Sequence, residues 1–274
     1  MYLDLPGGTR LAERRPAISI PFGLLLVCIS VSLAAGGLIL VQRLVPKEVR
    51  MQHNDVAGFI YAVLGVVYAV LLGLTVVAVW EEWNAAADSA DQEASEVAEV
   101  FYVADRMPEP EGRRIQELAR SYARVVVEEE WPLMRQGKSS PEAWELLDEI
   151  RSGAQDFQPS TPTQLILYEQ ALERVHELAD ARRERLLDAD HGLPPILWII
   201  LIIGGVVVVG FTYLFGLEST VVHLFMVAAL ALIIALVLFT VAELEFPFRG
   251  GIWIRPEAME QVLSRFESSK LSDL

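Results

Sequence analysis

Residues 57–79 read AGFIYAVLGVVYAVLLGLTVVAV, and residues 80–106 continue directly as WEEWNAAADSADQEASEVAEVFYVADR. The first part is almost entirely apolar and is long enough to cross the hydrocarbon core of a bilayer. The second part is rich in alanine and acidic residues, and no proline occurs in either part. The stretch therefore predicts one continuous helix, about 75 Å long, that crosses a membrane and continues into water.

Each half of this predicted helix carries its own packing face. In the membrane half, small residues recur at helical spacing and would let a second helix approach closely in lipid: Gly58, Ala62, Gly65, Ala69 and Gly73. In the aqueous half, apolar residues follow alternating steps of three and four: Trp80, Trp83, Ala87, Ala90, Ala94, Val97, Phe101 and Ala104. Such a helix either packs inside its own subunit or lies at the axis of an oligomer, and the sequence leaves both arrangements open.

The composition of the whole chain points to a membrane protein with an acidic aqueous part. Of its 274 residues 53% are hydrophobic, and the mean hydropathy is +0.37, which is high for a soluble domain of this length. The formal charge is −15, and residues 81–193 account for nearly all of it. An acidic surface argues against a nucleic-acid partner. The single cysteine, Cys28, excludes an intrachain disulfide and a cysteine-based metal site.

The order of apolar and polar segments predicts an all-α protein with four transmembrane helices and a helical domain inserted between the second and third spans. Asn54 or Asp55 is predicted to cap the second span. The predicted parts are a cytoplasmic tail (1–19), a transmembrane hairpin (20–80, spans 20–41 and 57–80), an acidic helical cytoplasmic domain (81–193), a second hairpin (194–242, spans 195–215 and 221–242) and a C-terminal amphipathic tail (243–274).

Proline and capping residues predict the helices of the acidic segment. An amphipathic helix is expected over residues 111–131, ending at Trp131-Pro132 because proline cannot donate a backbone hydrogen bond. Ser140-Pro141 and Thr161-Pro162 each read as an N-cap followed by proline at the first helical position. The second of these pairs is expected to begin a helix of about 28 residues that closes at Gly192.

Basic residues near the spans predict the orientation. Four spans place both termini and residues 81–193 on one side, which carries ten of them: Arg10, Arg14, Arg15, Arg182, Arg183, Arg185, Arg249, Arg255, Arg265 and Lys270. The other side carries three: Arg43, Lys47 and Arg50. Because cytoplasmic loops are enriched in lysine and arginine, we expect both termini and residues 81–193 to be cytoplasmic. This expectation places the chain in the cytoplasmic membrane as a multi-pass protein.

The sequence lacks the motifs of an enzyme or a coupled transporter. No nucleophile elbow, phosphate-binding loop, dinucleotide fingerprint or zinc-protease motif occurs, so no catalytic residue, cofactor or metal is predicted. The spans have no ionisable residue near their middle, and His223 lies only about three residues inside the fourth span. Proton-coupled carriers need buried ionisable groups at that depth, so this class is disfavoured.

Acidic residues gather at the predicted ends of the spans. Glu81 and Glu82 follow the second span, Glu243 follows the fourth, and Asp55 precedes the second span on the other side. In a symmetric oligomer each of them would form a ring, and acidic rings favour cations. Alternatively, Asp55 serves as a helix cap and the two adjacent glutamates are an ordinary polar flank.

A second charged motif, Arg182-Arg183-x-Arg185, lies about ten residues before the third span. It could contact anionic lipid headgroups. The simpler expectation is a helix surface on which these arginines pair with Asp180 and Glu184.

Several spaced motifs resemble the bestrophin-like domain family of bacterial membrane proteins. They are His53-Asn54-Asp55-Val56-Ala57-Gly58-Phe59, Gly65-Val66-Val67-Tyr68-Ala69-Val70-Leu71-Leu72, Val126-Val127-x-x-Glu130-Trp131-Pro132, Asp180-x-Arg182-Arg183-x-Arg185-Leu186, Leu193-Pro194-Pro195 and Pro247-Phe248-x-Gly250. The resemblance covers roughly residues 41–262. It implies a relation to bestrophins, which are oligomeric anion channels with four spans and helices that continue into the cytoplasm. No stretch of the chain matches bestrophin pore or calcium-binding residues, so none of those roles is transferred.

These observations favour a non-enzymatic, homo-oligomeric ion channel in the lipid bilayer, selective for inorganic cations because the span ends are acidic. A non-conducting membrane scaffold or sensor, whose helical domain binds a partner protein, is the first alternative. A bestrophin-like anion channel is the second. The expected partners are therefore lipid, further copies of the chain and inorganic ions, with no nucleic acid.

Overall fold

The computed structural model describes residues 19–52, 54–190 and 192–272, and every regular element within them is a helix. The all-α class is confirmed. The helices are α1 (Ile20–Leu44), α2 (Lys47–Gln52), α3 (Asn54–Asp105), α4 (Glu111–Val125), a π-helical turn (Val126–Glu130), α5 (Trp131–Met134), α6 (Pro141–Asp156), α7 (Pro162–Asp188), α8 (Pro195–Thr212), α9 (Thr220–Leu244) and α10 (Glu257–Ser272). The tail predicted at 1–19, apart from its last residue, lies outside the described residues, as do His53 and His191.

Four of these helices, α1, α3, α8 and α9, are long and apolar enough to cross a membrane. Their most apolar 18-residue windows have mean hydropathies of 2.5 to 3.0. Each contains or overlaps one of the four spans predicted from the sequence. The second of them, α3, has 52 residues and continues without a break from its apolar half into its acidic half, as its lack of proline predicts.

The chain divides into two compact units. The apolar unit contains α1, α2, the first half of α3 up to Glu81, α8 and α9. Its packing is dominated by aliphatic side chains such as Leu38 and Val227, which meet between α1 and α9. The acidic unit contains the second half of α3, α4 to α7, and α10.

The residues between the first two predicted spans contain a short helix that was not predicted. It is α2, within residues 42–56. Asn54 is not the predicted cap, because α3 already begins at this residue and its amide is used elsewhere. The Asn54 side chain donates to the Gly216 carbonyl and accepts from the Gly216 N–H, both at 2.9 Å, and so holds the turn between α8 and α9.

The core of the acidic unit forms around the aqueous half of α3. The predicted seam is buried at Ala90, Ala94, Val97, Phe101 and Ala104, and partly buried at Trp83 and Ala87. Helices α4, α6, α7 and α10 supply its partners within the same unit. Trp80, by contrast, is 51% exposed. From Trp83 onward the seam therefore packs inside its own subunit, which was one of the two arrangements the sequence left open.

The amphipathic helix at 111–131 does not end at Trp131-Pro132 as predicted. The chain passes through the π-helical turn, in which the Trp131 N–H donates to the Val126 carbonyl five residues back. Pro132 then occupies the start of α5, where its missing N–H costs little. The helix starts at Ser140 and Thr161 are confirmed, because each side chain accepts a backbone N–H three residues later. Helix α7 ends at Asp188, before Gly192.

Candidate functional site

One face of the membrane half of α3 packs against α8 and α9. Tyr68 is buried there, and its hydroxyl donates to the Leu201 carbonyl at 2.9 Å. A Cβ added to Gly204 would lie 2.7 Å from the Tyr68 ring, so this glycine is what lets the two helices approach. Leu72 and Ile234 extend the same contact. This role of Gly204 was not predicted, although the pair Gly204-Gly205 inside an apolar run is a signal of it in the sequence.

The small-residue stripe of α3 has no partner within the described part of the chain. A Cβ built on Gly58, Gly65 or Gly73 would meet no atom within 4 Å, and Ala62 and Ala69 are exposed. The predicted close contact is therefore not made by helices of the same subunit. The stripe lies on an apolar, solvent-accessible surface of a single chain, which in a membrane is covered either by lipid or by another subunit.

The predicted acidic residues at the span ends differ in their exposure. Asp55 in the first turn of α3 is exposed, and so are Glu81 and Glu82. Glu243 near the end of α9 is only 3% exposed. Asp55 and Glu81 are 26 residues apart on one helix, which corresponds to about 39 Å, so one chain cannot bring them into a single site.

Every charged side chain of α3 is negative. Its 52 residues include nine carboxylates and no lysine, arginine or histidine. A helix of this composition attracts cations and repels anions wherever its carboxylates reach water. Glu245, just after α9, is used differently: its carboxylate accepts hydrogen bonds from the Leu193 N–H and the Trp198 indole, each at 3.1 Å. Neither the sequence motifs nor the charge pattern signalled this contact.

The polar centre of the acidic unit is a fully buried ionic cluster of Arg182, Arg185, Glu93 and Glu130. Arg182 and Glu130 form a two-bond pair, with nitrogen–oxygen distances of 2.6 and 2.7 Å. Arg185 donates to Glu130 at 2.7 Å and binds Glu93 through both Nε and Nη2. All four side chains are 0% exposed. The two positive and two negative charges balance, as burial in a low-dielectric interior requires.

Neighbouring groups add further hydrogen bonds to this cluster. The Tyr122 hydroxyl donates to Glu93 at 2.5 Å, and the Ser140 N–H donates to Glu130 at 3.0 Å. Aromatic rings cover both cations: Arg182 lies 4.6 Å from the Trp144 ring centroid, and Arg185 lies 4.8 Å from that of Trp131. The cluster therefore joins α3, α4, the π-helical turn and α7 to one another.

Burial and charge act in opposite directions on Glu130. Desolvation alone would raise the pKa of this carboxyl, but Arg185 and Arg182 lower it further than burial raises it, to about 2. Burial also raises the pKa of the Tyr122 hydroxyl well above its ordinary value, and the negative charge of Glu93 adds to the effect. Glu130 is therefore ionised and Tyr122 protonated at neutral pH, which matches their roles as acceptor and donor.

The expectation for the arginine motif was wrong for two of its three members. Arg182 and Arg185 do not lie on a helix surface or at lipid headgroups, because both point into the core of the acidic unit. Arg183 is exposed and pairs with Asp180 at 2.5 Å, as predicted. The spacing of the motif carried the missed signal: positions 182 and 185 fall on the face of α7 that also presents Leu178 and Ala179 to the core.

No group of three or more histidine, cysteine, aspartate or glutamate residues in the described ranges is placed to hold a metal ion. The buried cluster uses Arg182, Arg185, Glu93 and Glu130 in pairs with one another. The small-residue face of α3 and the exposed carboxylates at the two ends of its membrane half, Asp55, Glu81 and Glu82, remain open to the surroundings. These form the candidate site for ions.

Four apolar helices long enough to span a bilayer and an acidic helical unit define an α-helical integral membrane protein. A family model described as the bestrophin-like domain matches residues 28–259. The chain belongs to this family, and the resemblance noted in its sequence motifs is confirmed. The Glu130-Trp131-Pro132 and Arg182-x-x-Arg185 motifs that carry the resemblance are the ones that build the buried ionic cluster.

Solved structures share the fold. One crystal structure of a bacterial bestrophin homologue from Klebsiella pneumoniae matches with a TM-score of 0.67 and 15% identity, covering 88% of this chain and 98% of that one. Another variant of that homologue matches at a TM-score of 0.66 and 16% identity, covering 91% and 98%. A structure described only as a membrane protein gives 0.64 and 18%, covering 90% and 97%. No curated protein sequence matches this chain.

Proposed function

We propose that this protein is a homo-oligomeric ion channel of the cytoplasmic membrane, in which the open face of α3 surrounds the axis. The observation that carries the proposal is the small-residue stripe at Gly58, Gly65 and Gly73, which no helix in the described part of the chain covers. Small residues at a subunit contact allow close helix packing in lipid, where burial of apolar surface gives no driving force. Membership of the bestrophin-like family and the shared fold of a bacterial bestrophin homologue also support a channel.

We further propose that the channel favours cations. The support is that all charged side chains of α3 are negative, with Asp55 exposed at one end of the membrane span and Glu81 exposed at the other. In a ring of subunits, each of these carboxylates is repeated around the axis, which concentrates cations and repels anions. Glu82 and Glu243 remain candidates for the same pathway, although Glu243 is buried in a single chain.

Replacing Asp55 by asparagine is expected to reduce the ratio of cation to anion permeability about sixteenfold at low salt. One charge about 5 Å from an ion in water contributes about 0.8 kcal/mol, a factor of about four that favours the cation and disfavours the anion, and the two factors multiply in the ratio. The reversal potential of the reconstituted protein under a salt gradient measures the ratio. Because screening shortens the electrostatic range to about 3 Å at 1 M salt, the difference from wild type should largely disappear there.

The matched control is Glu218→Gln. Glu218 is an exposed carboxylate in the turn between α8 and α9, the turn that Asn54 holds, but it is not on α3. It should leave the permeability ratio unchanged. An equal effect of both substitutions would mean that a diffuse surface charge acts, and wild-type selectivity for anions would favour the bestrophin-like alternative. Well-folded oligomers that carry no current would favour the scaffold.

Two glycine substitutions separate packing between subunits from packing within one subunit. Gly65→Leu meets open space in the single chain, so it should weaken the oligomer without destabilising the monomer. Gly204→Leu would collide with Tyr68 and should destabilise the chain itself by about 1–3 kcal/mol, the usual cost of overpacking. Size-exclusion chromatography with light scattering and thermal melting in detergent distinguish the two. Assembly of the Gly65→Leu protein like wild type would assign the stripe to lipid.

We propose that both termini and the acidic unit face the cytoplasm, on the basis of the basic-residue count around the spans. A cysteine introduced at Gln155 of α6, in a Cys28→Ser background, should resist impermeant thiol reagents in intact cells. Ready labelling from outside would reverse the orientation.

A further inference from the structure

The acidic unit contains a cavity of about 860 Å³ between α5 and the segment that follows α9. This volume lies in the range of small-molecule sites in proteins. The residues that line it include two tryptophans, two arginines and two glutamates: Trp131, Trp253, Arg135, Arg255, Glu257 and Glu260. Neither the buried ionic cluster nor the proposed ion pathway uses the four charged groups.

The charged side chains that line this cavity favour a ligand that carries both a positive and a negative group. None of its two arginines and two glutamates takes part in an ion pair within the described part of the chain; the Arg135 guanidinium lies 4.8 Å over the Trp253 ring. The two signs cancel, so a ligand with only one sign of charge meets attraction and repulsion together. A zwitterion, by contrast, can place its anionic group near the arginines and its cationic group near the glutamates.

A short chain segment connects the residues that line the cavity with the end of the membrane span α9. Helix α9 ends at Leu244, and Pro247 follows three residues later, at most about 11 Å along the chain. The Pro247 carbonyl accepts the Ile254 N–H at 2.8 Å, and the Trp131 indole donates to the Ile254 carbonyl at 3.0 Å. The lining residues on either side of Ile254 are thus joined to the end of α9 by only a short chain segment, and tryptophan and arginine that follow a span closely commonly meet lipid headgroups.

We propose that this cavity binds the headgroup of a phospholipid that carries a phosphate and a primary ammonium, the chemistry of phosphatidylethanolamine. Arg135 and Arg255 bind the phosphate, and Glu257 and Glu260 accept hydrogen bonds from the ammonium. A choline headgroup fits less well, because its quaternary nitrogen has no N–H to donate.

Native mass spectrometry of the full chain in detergent tests the proposal, with phosphatidylethanolamine, phosphatidylcholine and phosphatidylglycerol added at equal concentrations. The ethanolamine lipid is expected to bind about tenfold more tightly than either of the others. Arg255→Gln and Glu257→Gln should each weaken its binding about tenfold while leaving the melting temperature unchanged, because both side chains are exposed. If either variant fails to fold, Arg135→Gln replaces it, since Arg135 is also an exposed lining residue.

The matched control is Arg265→Gln, an exposed arginine on α10 that does not line the cavity. It should bind lipid like wild type. Equal binding of the three lipids, or equal binding by Arg255→Gln and wild type, would overturn the site. Soluble glycerophosphoethanolamine that displaces the lipid at equal concentration would overturn the lipid assignment in favour of a soluble ligand. The measurement needs no ionic current, so its outcome is independent of the proposed channel function.

Discussion

Replacing Arg185 by methionine is expected to destabilise the protein by about 3–5 kcal/mol. The substitution removes the cation that binds both Glu93 and Glu130 and leaves buried carboxylates without sufficient compensating charge. Methionine fills a similar volume, so lost packing contributes little. Guanidinium unfolding of the detergent-solubilised chain, followed by tryptophan fluorescence, measures the change.

The control for this prediction is Arg183→Met on the same helix. Arg183 pairs with Asp180, but both side chains are about half or more exposed, so the loss should be within about 1 kcal/mol. A comparable loss for the two arginines would show that helix propensity or net charge, and not the buried cluster, sets the cost. Replacing all four cluster residues by apolar residues should recover much of the stability, because no buried charge is then left unpaired.

Replacing Glu130 by glutamine is expected to cost about 3 kcal/mol at pH 7 and progressively less in acid. The pKa of Glu130 is held near 2 in the folded protein, against 4.5 for the ordinary carboxyl. A lowered pKa contributes stability that is fully present above about pH 4.5 and is lost as the pH falls towards 2. The difference in unfolding free energy between wild type and variant should therefore shrink across this interval.

Glu128→Gln provides the control within the same π-helical turn. Glu128 is exposed, so its replacement should change stability by less than about 0.5 kcal/mol at each pH. If the difference between wild type and Glu130→Gln stayed constant from pH 7 to pH 3, the ion pairs of Glu130 would not be the source of the stability.

The membrane architecture follows from local properties of the sequence, and for this reason it could be predicted. A run of about 20 apolar residues must satisfy its backbone hydrogen bonds internally in lipid, which leaves a helix as the only choice for a single segment. Serine and threonine before proline mark helix starts at 140 and 161 because their side chains bond to backbone N–H groups three residues on. These contacts need no information from distant parts of the chain.

The missed side-chain contacts depend on residues that are far apart in the sequence. From the sequence, Arg182 and Arg185 resemble surface residues. In the fold, Arg185 meets Glu93, which is 92 residues away, and Arg182 meets Glu130, which is 52 residues away. Asn54 resembles a helix cap, but its partner is Gly216, 162 residues later. In each case the side chain has more than one chemically reasonable partner, and only the assembled core decides which one it meets.

The sequence by itself determined the helical class, the membrane spans and the acidic character of α3, because periodicity, length and composition are properties of a single segment. Only the tertiary structure decided which face of α3 is used. It showed that the aqueous seam from Trp83 onward packs within the subunit, while the small-residue stripe around Gly65 stays uncovered. Both faces follow a helical spacing, so spacing alone does not show which of them meets other helices of the same subunit. They differ because α4, α6, α7 and α10 pack around the aqueous half, whereas α8 and α9 meet the membrane half on the side of Tyr68.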